Sequence, residues 1–168
     1  MRSLLTITLL VSGLSGMAAQ KPAASTESDH HQQVNRRGDA VMGFSHLTTT
    51  PHIRLFTNGG EIEVSANDPR DTPTRDNIRM HLEHIANMFA AGNFDAPMLI
   101  HATTPPGVPM MKKLRADIVY TFQSTARGGR VEISTRDPSA LHAVHEFLRF
   151  QIADHKTGDS TKVMARQS

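Results

Sequence analysis

Two stretches of the chain alternate apolar and polar side chains with a period of two. Each is followed by apolar residues at helical spacing. In the first, residues 52–57 lead into Gly59-Gly60-Glu61-Ile62-Glu63-Val64-Ser65-Ala66-Asn67-Asp68-Pro69. In the second, residues 117–125 lead into Gly128-Gly129-Arg130-Val131-Glu132-Ile133-Ser134-Thr135-Arg136-Asp137-Pro138. Alternation on both sides of a Gly-rich break is the mark of a β-hairpin. Asn58-Gly59-Gly60 is expected to supply the positive φ of a tight turn, and Arg127-Gly128-Gly129 to do so in a slightly longer loop. A helix over residues 74–91 follows the first hairpin, with Ile78, Leu82, Ile85 and Phe89 as its buried stripe and Gly92 as its stop. Thr72 and Pro73 are expected to open it. The second helix opens with Asp137 as cap and Pro138 in its first turn, carries Leu141, Val144, Leu148 and Ile152, and ends before Gly158.

The hairpin segments match at an offset of 69 residues, with Gly-Gly, Glu, Ser and Asp-Pro identical and Ile and Val exchanged. One ββα unit is too small to bury both faces of its parts. Two units sharing one interior predict an α+β two-layer sandwich over residues 46–158: a four-stranded antiparallel sheet with two helices on one face, related by a pseudo-twofold axis. Between the units, residues 93–114 contain Pro97, Pro105, Pro106 and Pro109, which call for an extended or turning path rather than a long helix. Residues 19–45 show no periodicity and read as a flexible leader, and residues 159–168 as a flexible tail. Phe147 and Phe150 spread apolar surface beyond the stripe of the second helix, so the surplus is expected to be covered by the connector or by a second copy in a homodimer.

The first residues run Met1-Arg2, then an apolar stretch over 4–14, then Ser15-Gly16-Met17-Ala18-Ala19. A single positive charge, a short apolar run and small residues read as a secretory signal peptide over residues 1–18, cleaved after Ala18. The run is shorter than the roughly 20 apolar residues a bilayer requires. No other long apolar run follows, so an exported protein, periplasmic or secreted and free of the membrane in its mature form, is expected. The 168 residues hold 18 Lys plus Arg against 16 Asp plus Glu, too even a balance to mark a nucleic-acid surface. There is no Cys, which excludes disulfides, thiolate metal sites and a cysteine nucleophile.

Ten His and nine Met give the composition its chemical character. His81 and His84 share one helix face, with Met80 and Met88 beside them, a nitrogen and thioether set that suits copper or zinc. His101 and His145 are candidates to complete a site of His81, His84, Met88, His101 and His145. His145 and His155 fall near the buried stripe of their helix, where an imidazole bonded to backbone or carboxylate is the plainer expectation, and His142 points to solvent. No H-E-x-x-H, G-x-S-x-G or phosphate-binding Gly loop is present.

Val41-Met42-Gly43-Phe44, residues 49–55, His81-Leu82-x-His84-Ile85-Ala86, Pro105-Pro106-Gly107-Val108-Pro109 and His145-Glu146-Phe147-Leu148-Arg149-Phe150-Gln151-Ile152 resemble a family of small exported bacterial proteins. The resemblance covers residues 34–159. The family's function is uncharacterised, and its members often carry the label aspartate carbamoyltransferase. Carbamoyltransferases hold carbamoyl phosphate with an S-T-R-T loop, where this chain has Ser134-Thr135-Arg136-Asp137. They also use an H-P-x-Q-type segment, for which this chain has no counterpart. The expected function is therefore that of an exported binding or interaction protein, binding a soft transition metal through helix histidines. The alternatives are a partner-binding module that homodimerises and a carbamoyltransferase-like enzyme.

Overall fold

The computed structural model describes residues 24–166, so the signal segment at 1–18 lies outside the described residues. In chain order the elements are α1 (Ala24–Met42), β1 (Thr49–Phe56), β2 (Gly59–Ala66), α2 (Thr72–Ala90), α3 (Asp95–His101) and α4 (Val108–Lys113). A 3₁₀ turn (Arg115–Asp117) then leads into β3 (Ile118–Thr125), β4 (Gly128–Thr135), α5 (Pro138–His155) and a short β5 (Val163–Met164). The architecture is α+β, with a sheet ordered β3-β4-β2-β1-β5. Its first four strands are antiparallel and β5 adds in parallel to β1, so the sheet is mixed and has one strand more than expected.

The duplication is visible in the strand register. Ile62 pairs with Val131, its own counterpart 69 residues on, so the pseudo-twofold axis passes between them. The helices are exchanged across this axis. The first unit's α2 lies chiefly on β4 and β3, while the second unit's α5 lies on β1 and β2. Each helix also pins the opposite hairpin by its backbone carbonyls. From α2, Arg79 donates to the carbonyls of Thr125 and Gly128. From α5, His145 Nε2 donates to those of Phe56 at 2.9 Å and Gly59 at 3.0 Å. Phe56 and Gly59 are the counterparts of Thr125 and Gly128 at the same offset of 69, so Arg79 and His145 do one job in two copies.

The Gly-Gly pairs have a different use from the one expected. Both hairpins turn on two residues, Thr57-Asn58 and Ala126-Arg127, and the glycines lie in the strands that follow. Only Gly59 of the four has a positive φ, +147°. What the pairs provide is close approach: a Cβ on Gly60 would stand 2.3 Å from Leu148 of α5, and one on Gly128 would stand 2.1 Å from the Val64 carbonyl oxygen. The α2 cap is Asp71 rather than Thr72, its carboxylate accepting from Thr74 N–H at 3.0 Å, with Pro73 in the first turn. Asp137 caps α5 as expected, accepting from Ala140 N–H at 2.8 Å.

The interior lies between the sheet and the helices. Phe89 stacks on Phe94 with ring centroids 4.4 Å apart, and Phe147 meets both edge-on at 5.8 and 6.1 Å. The proline-rich connector forms no long helix, but it is not extended either: it folds into α3 and α4. These cover the apolar surplus of α5, with His101 edge-on to Phe150 at 4.9 Å and α4 packed along the same helix. Of the two covers expected for that surplus, the connector and a second copy, the connector packs against it.

The segment read as a leader is also structured from residue 24. Helix α1 places His31, Val34, Asn35, Gly38 and Met42 on one face at spacings of three and four, and Val34 is fully buried. The stripe escaped notice because only Val34 and Met42 in it are apolar. In the tail, the Asp159 carboxylate accepts from Ile53 N–H at 2.8 Å and from His52 Nδ1 at 3.0 Å, tying residues 159–164 to the outer edge of β1. Pro51 lacks an N–H on that strand, and together these features blunt the edge against pairing with another chain. No described helix is long and apolar enough to cross a membrane.

Candidate functional site

The exchanged helices leave a cavity of about 310 Å³ over the centre of the sheet. Its floor includes Ile53 of β1, Ile62 and Val64 of β2 and Val131 of β4, so the cavity stands on the pseudo-twofold axis. Leu82, Ile85 and Phe89 of α2 form one wall, and Phe147, Gln151 and His155 of α5 form the other. Helix α1 covers part of its mouth with His31, Val34, Asn35, Gly38 and Met42, and α3 adds Ala96, Pro97 and Ile100. Pockets for small ligands start at about 300 Å³ and are typically apolar with a few placed polar groups. A cavity of about 150 Å³ holds benzene, so this one accommodates about a dozen non-hydrogen atoms.

The two helix walls are unlike at matched positions. Counted from the caps Asp71 and Asp137, the helices correspond at an offset of 66, three less than the hairpins because of a short insertion before α2. Ile85 then corresponds to Gln151 and Phe89 to His155. At these two positions α2 is hydrocarbon where α5 is polar, and at a third the sense reverses, His81 of α2 matching Phe147 of α5.

Behind Gln151 and His155 lies a cluster of histidines around Asp154. His30 of α1 donates from Nε2 to Asp154 at 2.7 Å, and His101 of α3 donates from Nδ1 to the other carboxylate oxygen. His31 Nδ1 donates to the Asp154 backbone carbonyl at 3.3 Å. Burial works against the Asp154 charge, but the hydrogen bonds from His30 and His101 outweigh it and hold the carboxyl below its ordinary range. His101 Nε2 is hydrogen-bonded to the Gln151 side-chain amide at 3.0 Å. The His155 ring is edge-on to His101 at 4.9 Å. Burial, together with the charge of His101, pushes the His155 imidazole down to about 4. At the other end of the cavity His81 is edge-on to Phe44 at 5.7 Å, and burial, with His84 nearby, lowers it to about 4 as well. Both rings are neutral at ordinary pH, which suits an apolar chamber.

The five residues proposed as metal ligands do not meet. His81 lines the cavity, but His84 is exposed and neither it nor Met88 is on the wall. His101 has both ring nitrogens engaged, by Asp154 and Gln151. His145 is spent on the β1–β2 hairpin, because it is the counterpart of Arg79 rather than a ligand. Among the described residues no group of three or more His, Asp or Glu side chains is placed to hold a metal ion. His142 is exposed and pairs with Glu146 across one helical turn, as its position on α5 suggested. Ser134-Thr135-Arg136-Asp137 is structural: the Thr135 hydroxyl donates to the Asp117 carbonyl at 2.7 Å and accepts from Asp137 N–H at 3.1 Å, while Asp137 caps α5. None of the four lines the cavity.

Gln151 and His155 line the cavity, although neither belongs to the set that helix spacing and ligand chemistry single out. The signal lies in the comparison of the two helices, where matched positions exchange apolar for polar: Ile85 for Gln151, Phe89 for His155 and, in the other sense, Phe147 for His81. No protein-family model, curated protein or solved structure matches the chain.

Proposed function

We propose that this protein is an exported binding protein that encloses a small, largely apolar molecule between its two repeats. The cavity on the pseudo-twofold axis carries this reading. It is walled by both helices, floored by three strands and partly covered by a helix that precedes the duplicated units. A folded interior is ordinarily packed to the density of an organic crystal, with few voids larger than a water molecule. A chamber of about 310 Å³ kept open at the axis is a departure of the kind that ligand sites require. Export rests on the N-terminal sequence pattern, and binding needs no metal.

n-Butylbenzene, with ten non-hydrogen atoms, is a suitable probe. At about 0.5 kcal/mol per buried atom it gains about 5 kcal/mol, a Kd of about 0.2 mM. Titration followed by methyl NMR should show saturable shifts at Ile62, Ile85 and Val131. Ile62→Phe fills the floor and should abolish those shifts while leaving the thermal unfolding transition cooperative. Shifts spread over surface methyls, or unaffected by Ile62→Phe, would rule the chamber out.

A further inference from the structure

We propose that the protein self-associates through the outer edge of β3, two copies joining their sheets antiparallel about a twofold axis at Phe122. This association does not involve the chamber. β1 and β3 are counterparts at the offset of 69 and flank the four antiparallel strands, but only one flank is protected. Along β1 the chain adds β5, sets the Asp159 carboxylate against the Ile53 N–H, and places Pro51 where an N–H would otherwise point outward. Along β3 it does none of these. No strand lies beyond β3 in the sheet, and the counterpart of Pro51 is Tyr120. The strand reads Ile118-Val119-Tyr120-Thr121-Phe122-Gln123-Ser124-Thr125, with neither a charge nor a proline, and Val119, Thr121 and Ser124 are exposed. Sheet edges left to solvent are ordinarily short, charged, bulged or covered. Eight neutral residues with none of these devices are an edge kept for pairing.

The register fixes which backbone groups are offered. Ile53 points its N–H away from β2, so by alternation its counterpart Phe122, with Tyr120 and Ser124 on either side, points its own away from β4. An antiparallel copy centred on Phe122 brings Tyr120 opposite the partner's Ser124 and Phe122 opposite the partner's Phe122. Each is a close pair that exchanges two hydrogen bonds. The same register decides the occupant. It sets Asp117, just before the strand, opposite the partner's Arg127, just past it. Both residues are exposed, and among the described residues neither side chain is in an ion pair. An edge neutral along its length, with an acid at one end and a base at the other, is complementary to itself when reversed. A second copy of this chain is therefore the partner it fits.

Sedimentation equilibrium of the mature chain, residues 19–168, should show a monomer–dimer equilibrium that is chiefly dimer at about 0.1 mM. Asp117→Arg alone and Arg127→Asp alone each set like charges face to face and should weaken the dimer about tenfold. The two together should restore it to within about twofold. Ser124→Pro removes an N–H that the monomer does not use, and should yield monomer with an unchanged, cooperative unfolding transition. If that variant fails to fold, hydrogen exchange replaces it: the Tyr120, Phe122 and Ser124 amides of the parent should slow about fivefold from dilute to concentrated protein. A parent that stays monomeric at the higher concentration would overturn the proposal. So would a dimer indifferent to both charge reversals and to Ser124→Pro, or one whose β3 amides exchange as in the monomer. A double reversal that leaves the dimer weak would overturn the axis at Phe122.

Discussion

At the scale of single residues, two partly buried imidazoles weaken the fold as the pH falls. His81 and His155 hold values of about 4 when folded, below the ordinary 6.5 of an unfolded chain. As pH falls, the unfolded chain takes up protons first, so stability is full above about pH 7 and declines from about 6.5 to about 4. At pH 5 each ring accounts for a loss of about 2 kcal/mol. Urea unfolding at pH 7.5 and pH 5 should therefore show His81→Phe losing about 2 kcal/mol less than the parent over that interval. An identical loss in both would show that His81 is not the titrating group. Gly107 is a second residue whose role is local. It sits at φ +81°, and a Cβ there would stand 2.0 Å from the Ala143 carbonyl oxygen on α5. Gly107→Ala should cost about 2–4 kcal/mol, read as a lower denaturation midpoint with an unchanged slope.

At the scale of elements, α1 is the part that sequence periodicity conceals. Its inward face is His31, Val34, Asn35, Gly38 and Met42, and three of these five earn no weight on an apolar scale although they are spaced like any buried stripe. They face a chamber rather than a dry core, which is why polar types are tolerated there. Deleting residues 24–42 should leave the far-UV signature of the sheet in place and weaken n-butylbenzene binding at least tenfold. Retention of affinity would mean that α1 is not a wall of the site. The hairpins and both long helices, in contrast, were legible, because alternation and helical stripes report burial directly. The Gly-Gly pairs were legible as important but not as close contacts, since a glycine in sequence does not say whether it serves a dihedral angle or a neighbour's carbonyl. The histidines misled for a related reason. Spacing puts His81 and His84 on one helix face, yet only burial distinguishes the ring that lines a cavity from the one in solvent.

At the scale of the whole molecule, the two units are not independent. Because α2 rests on β3 and β4, a peptide of residues 44–93 lacks the surface that covers its own helix. Alone it should show little regular structure by circular dichroism, and it should gain structure when mixed with a peptide of residues 94–166. Cooperative folding of the first peptide alone would contradict the exchanged packing. The site, too, belongs to the whole: its floor, walls and partial cover come from both repeats and from the helix before them.

That exchange bears on ancestry. A lone ββα unit packed this way could not shelter its own helix, so it would need a second copy, each member covering the other. In such a pair the chamber would have been lined twice by the same residues, polar or apolar together. Joining the two copies in one chain removes that constraint, and Gln151 and His155 on one side with Ile85 and Phe89 on the other are differences only a single chain permits.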